Sequence, residues 1–210
     1  MSFTIIATEG SKTMVAIIPI LKMACTVLSV VSTLIDSGFK ICKTLGILDK
    51  NANKDELGDR YLQARDNGIR VEDYAGRFEE YRDKIASFEL DPEKSKAFTA
   101  EQKNEAAGQF IGWALAEHYG EESGIRNFIE QEANRHGDFY SQKDRLGAYL
   151  ETFKDGGMDK IGEYFDNKLG SVKDIETVEA KLAEAEKKAG FSDKDAMDNL
   201  DREVEKRAES

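Results

Sequence analysis

An all-α fold is what this sequence predicts: a long apolar helix at the N-terminus, a compact array of short amphipathic helices behind it, and a charged helical hairpin at the end. Three observations carry the prediction. Only 2 prolines occur among 210 residues. Strand-favouring clusters are nearly absent after residue 20, whereas Glu, Lys, Ala, Asp and Leu are plentiful. Apolar side chains also recur at three- and four-residue steps, the period of a helix with one buried face.

The first element is the densest aliphatic run of the chain, residues 14–48. Pro19 suits a first helical turn, where its missing N–H would be unpaired anyway, and Gly46 suits a left-handed C-terminal cap. Lys22, Thr26, Ser29, Thr33, Asp36, Lys40 and Lys43 follow steps of 4 and 3 in alternation, a polar seam along one side of a helix. The rest of the circumference is apolar and includes Leu21, Val27, Leu28, Val30, Val31, Leu34 and Ile35. Such a helix must be surrounded by protein or by lipid. An ordinary single-pass anchor is disfavoured, because Lys22 and Pro19 interrupt the run. The uncharged part, Met23 to Ile35, would span only about 20 Å as helix, against a hydrocarbon core of about 30 Å. No cleavable signal peptide is convincing, since the first residues lack a basic stretch and contain Glu9. A short hairpin at 3–18 is the alternative reading of the very start.

From residue 49 the composition turns polar and acidic. A helix is expected over about 54–67, stopped by Gly68. Val71, Tyr74, Phe78, Tyr81, Ile85 and Phe88 predict one aromatic-striped helix, ended by Asp91-Pro92. Thr99 and Gln102 form a capping box for a helix to about Tyr119, whose face of Ala106, Ala107, Phe110, Ile111, Trp113, Ala114 and Leu115 is the expected centre of the core. Within it, Gly108 and Gly112 are expected to permit close helix packing. Further helices are marked by Ile125, Phe128, Ile129 and Ala133, by Leu146, Tyr149, Leu150 and Phe153, and by Met158, Ile161, Tyr164, Phe165 and Leu169. Glycines at 120, 137, 156–157 and 170 separate them. The terminal hairpin pairs the stripe Ile175, Val178, Leu182, Ala185, Ala189 with a helix capped by Ser192 and Asp195. The expected organisation is thus an apolar arm (1–48), an acidic α-helical body (49–170) and the hairpin (171–210).

The net charge of −11 is concentrated beyond residue 50, where it amounts to about −13. That disfavours nucleic acid as a partner, because counterion release needs clustered Lys and Arg. Cys25 and Cys42 would lie about 25 Å apart on one helix, beyond disulfide reach. Chemistry is sparse. Asp49, Asn51, Asn53 and Asp55 match four positions of a calcium-binding loop, but the required glycine is Lys54 and the bidentate glutamate is Arg60, so a solvated linker is expected. His136 and Glu132 offer two ligands where zinc needs three or four, so helix-dipole placement is the expected role of the histidines. No catalytic residues, metal ligands or cofactor-binding residues are assigned, and no enzyme is expected. The functional expectation is a structural or interaction protein that self-assembles as a homo-oligomer, filament or shell through its N-terminal helix. The alternative is a membrane-active or pore-forming protein whose seam lines water on oligomerisation. The chain is expected to be cytoplasmic as synthesised, with membrane association or export without a cleavable signal under the alternative.

Overall fold

The computed structural model describes residues 33–74, 76–120 and 123–209, and every regular element among them is helical. In order these are α1 (33–44), α2 (Lys54–Asp66), a 3-10 turn (Val71–Tyr74), α3 (Phe78–Ala86), α4 (Pro92–Ala97) and α5 (Ala100–Tyr119). Then come α6 (Ile125–Asn127), which runs into a π-helical segment (Phe128–Ala133), α7 (Gly137–Tyr140), α8 (Arg145–Phe153), α9 (Asp159–Phe165), α10 (Val172–Lys188) and α11 (Asp193–Ala208). The hairpin at 3–18, the part of the N-terminal helix before Thr33, and its positions Leu21, Lys22, Thr26, Val27, Leu28, Ser29, Val30 and Val31 lie outside the described residues.

Local signals place the helix ends. After α1 the chain turns at Gly46, with φ +71°; Gly46 N donates to Lys43 O and Ile47 N to Cys42 O, the paired bonds of a glycine C-cap. The α5 capping box is complete: Gln102 N donates to Thr99 Oγ1 at 3.2 Å and Thr99 N to Gln102 Oε1 at 2.8 Å. Ser171 and Ser192 accept from the backbone of Asp174 and Asp195 and so start α10 and α11.

Two expected helices take a different form. The stripe from Val71 to Phe88 is split into the 3-10 turn and α3, because Gly76 adopts φ +70° between them. The bend lets Tyr74 and Phe78 both reach Tyr81, with ring centroids 5.4 and 5.9 Å apart. Asp91-Pro92 opens a helix: Asp91 accepts from Glu93 N at 2.9 Å and Pro92 occupies the first turn of α4.

α5 stands at the centre. Ala106, Ala107, Phe110, Ile111, Ala114 and Leu115 on it are all buried. α2 crosses it so closely at Gly58 that a Cβ there would stand 1.8 Å from the Lys103 carbonyl oxygen. α1 packs on the same helix: a Cβ at Gly108 would meet Ile35 Cδ1 at 2.7 Å, and one at Gly38 would meet Ile111 Cγ2 at 2.8 Å. On the far side, α10 lies against α8, and α11 closes over α9 and α10. A second aromatic cluster of Phe139, Tyr140, Tyr149, Phe153 and Phe165 fills that region through edge-on and stacked contacts.

Candidate functional site

The largest concavity is a groove of about 880 Å³ between α1, α2, the 69–72 stretch, α5 and the π-helical segment. Its floor is the α5 face from Gly108 to Trp113, and its walls include Leu34 and Ile35 from α1, Tyr61 from α2 and Ile129 from the π-helical segment. The wall is apolar because each helix turns its core stripe inward here. The rim is charged, with Arg65, Arg70 and Arg126 interspersed with Asp66, Glu72 and Glu105. Burial raises the Tyr61 and Tyr81 hydroxyls above their ordinary range, so both stay protonated donors at the groove. Chemically the groove offers apolar surface bounded by charge.

The two central glycines of α5 divide their roles here. Gly108 does what the spacing predicts and admits Ile35. Gly112 does not: a Cβ at that position would meet nothing within 4 Å, so no helix packing within the described body accounts for it. It faces open groove instead. Trp113, expected on the core face, is half-buried at the groove beneath Arg126, whose guanidinium lies 4.2 Å from the ring centroid.

The residues singled out in the N-terminal helix separate cleanly where they are described. Leu34 and Ile35 are each 6 % exposed and pack within their own chain. Thr33, Asp36 and Lys40 of the polar seam are exposed, and Lys43 is partly exposed. Asp36 pairs with Lys54, and Lys43 Nζ donates to Ala52 O at 3.2 Å, which ties α1 to the start of α2. The calcium-loop look-alike does local work: Asp49 accepts from Asn51 N at 2.7 Å, and Asn53 caps α2 by accepting from Glu56 N at 3.0 Å. Among the described residues, no group of three or more His, Cys, Asp or Glu is arranged to hold a metal ion, and no helix is long and apolar enough to cross a membrane.

Two buried polar clusters escape a reading of the sequence. In the first, Glu186 is fully buried, and its carboxylate accepts from Arg145 Nε at 2.6 Å, Arg145 Nη2 at 2.8 Å, the Tyr149 hydroxyl at 2.9 Å and Asn199 Nδ2 at 3.1 Å. Four donors saturate the four lone-pair sites, leaving no acceptor for a ligand. The second joins Arg207 to Glu132 at 2.7 Å and Glu203 at 2.9 Å, with the Tyr140 hydroxyl donating to Glu132 at 2.7 Å and His136 alongside. Burial pushes the Tyr140 and Tyr149 hydroxyls far up, and the adjacent carboxylates push them further. Burial alone would lower the pKa of Arg207, but the bonds with Glu132 outweigh it and fix the charge. Both clusters clamp helices together: Glu186 joins α8, α10 and α11, and Arg207 joins α11 to the π-helical segment. The partners lie 41 and 75 residues apart, so no spacing rule could find them. The faint signals are Glu186 beside Ala185 and Glu203 three residues after Leu200, carboxylates bordering an apolar stripe.

Comparison of the chain with protein-family models, with curated proteins and with solved structures gives no match.

Proposed function

We propose that this protein is a structural or interaction protein that self-associates through the apolar run at residues 14–32, with the acidic helical body as its soluble carrier. One observation supports this reading above the rest. Residues 33–209 make a body with its own core, and the most apolar stretch of the chain is attached to it with only Lys22 charged between Met14 and Val31. Apolar surface of that extent is stabilised by association, at about 25 cal/mol per Å² removed from water. The body contributes solubility through its acidity, since net charge of one sign opposes indiscriminate aggregation.

The test is the mass of the purified full-length protein across a concentration series, by light scattering or sedimentation. A concentration-dependent multimer is expected. Val30→Glu, which places a carboxylate in the apolar run, should shift the distribution to monomer without changing the helical circular-dichroism signal. A full-length monomer at every concentration overturns the reading.

A further inference from the structure

We infer that the α5 groove is the resting site of the chain's own residues 14–32, so that the unassembled protein covers its association element in cis. This rests on the reading above only in taking that segment as the associating element.

Four features on the same face support it. Residues 14–32 join the body at Thr33, and the next two residues, Leu34 and Ile35, already line the groove. The segment therefore meets the groove at an effective concentration set by a tether of a few residues, in the millimolar range for short links. The chemistry matches on both sides, apolar run against apolar wall, and Lys22 has carboxylates on the rim at Asp66, Glu72 and Glu105. Among the described residues none of those three acids forms an ion pair. Finally, Gly112 costs α5 up to about 1 kcal/mol relative to alanine and yet accommodates no described neighbour. An occupant that approaches the α5 backbone there is what the glycine admits. At about 880 Å³ the space is near the top of the range of about 300–1,000 Å³ that holds small molecules, and it is open along its rim, which suits a chain segment.

The protein carries its own probes. Trp113, at the groove, is the only tryptophan, and Cys25 and Cys42 are the only cysteines. Cys42 is fully buried and its thiol is pushed up to about 12, so a thiol-reactive energy-transfer acceptor applied to folded full-length protein labels Cys25. In the monomeric fraction at low concentration, Trp113 fluorescence should be quenched by transfer to the Cys25 label, independently of dilution. Gly112→Phe, which fills the groove without displacing a neighbour, should reduce the transfer; Val30→Glu should do the same from the segment side and leaves the body untouched. Released segments also associate more readily. If docking leaves about one molecule in ten open, Gly112→Phe lowers the concentration midpoint of association about tenfold.

Labelled Trp113→Phe protein mixed with unlabelled protein separates the alternatives. Transfer seen only in that mixture assigns the groove to the segment of a second copy and overturns docking in cis. Absence of transfer in the monomer, or transfer unaffected by both substitutions, overturns it as well. None of these outcomes depends on whether a multimer forms, so loss of the cis contact and loss of self-association are read separately.

Discussion

The imidazole of His136 lies beside a carboxylate, Nδ1 3.5 Å from Glu203 Oε1, and is still held below its ordinary pKa of 6.5. Burial is the first cause and the Arg207 guanidinium the second; Glu132, Glu203 and Asp166 pull upward and are outweighed. With a folded-state pKa below the unfolded one, the unfolded chain takes up this proton first as pH falls. The contribution is therefore complete above about 6.5, shrinks as pH drops through that value, and levels off below the folded-state pKa. Melting temperature should accordingly decline between about pH 7.5 and 5.5, before the carboxylates titrate, and His136→Gln should flatten that limb. An equal slope in the variant would show that other groups carry the loss. Further acid loss follows from the carboxylates. Asp166 is held below its ordinary value by Lys168 first and then Arg207. Asp59 is raised by burial, but bonds from Lys103, Gln63 and Ser95 lower it more. Stability from both is present above the unfolded carboxylate range and lost as pH falls through their folded values.

The helices meet at glycines of opposite consequence. At Gly58 a methyl group would enter the Lys103 carbonyl, backbone that cannot step aside, so Gly58→Ala must separate α2 from α5. Overpacking of this kind costs about 1–3 kcal/mol or more. Gly112→Ala meets open space in a helical backbone and should stabilise by up to about 1 kcal/mol. Chemical denaturation of the two variants should therefore move in opposite directions, and stabilisation by Gly58→Ala would contradict the crossing geometry. How much of this the sequence disclosed depends on the range of the cause. The Thr99–Gln102 box, the serine caps of α10 and α11 and the Gly46 turn are legible because donor and acceptor lie within a few residues. The break at Gly76 is not, because the heptad of Val71 to Phe88 is continuous in sequence and only the contacts with Tyr81 need the bend. Gly108 and Gly112 look identical in sequence and differ only in what lies opposite.

At the scale of the whole molecule, the apolar stretch 14–48 reads as one element by composition, yet its second half is part of the body. Leu34, Ile35, Ile41 and Cys42 are all buried in the same core as Phe110 and Leu200, while Thr33, Asp36 and Lys40 face solvent. The period that marks the seam reports which side is wet and is silent on what covers the dry side. The groove was not legible at all, since it is formed by side chains from five separate stretches. A pair of truncations tests where the body begins. Removing residues 1–32 takes away no residue of the described core and should leave a helical protein with a cooperative melt. Removing residues 1–46 takes four buried side chains from α5's surface. Large-to-small changes of single buried aliphatic residues cost about 2–5 kcal/mol each, and a whole domain holds only about 5–15 kcal/mol. The longer truncation should therefore lack a cooperative transition and expose apolar surface to a hydrophobic dye. Equal melting temperatures for the two truncations would mean that α1 contributes nothing to the body. If only the shorter truncation melts cooperatively, the body begins at about Thr33, and the associating element is confined to the residues before it.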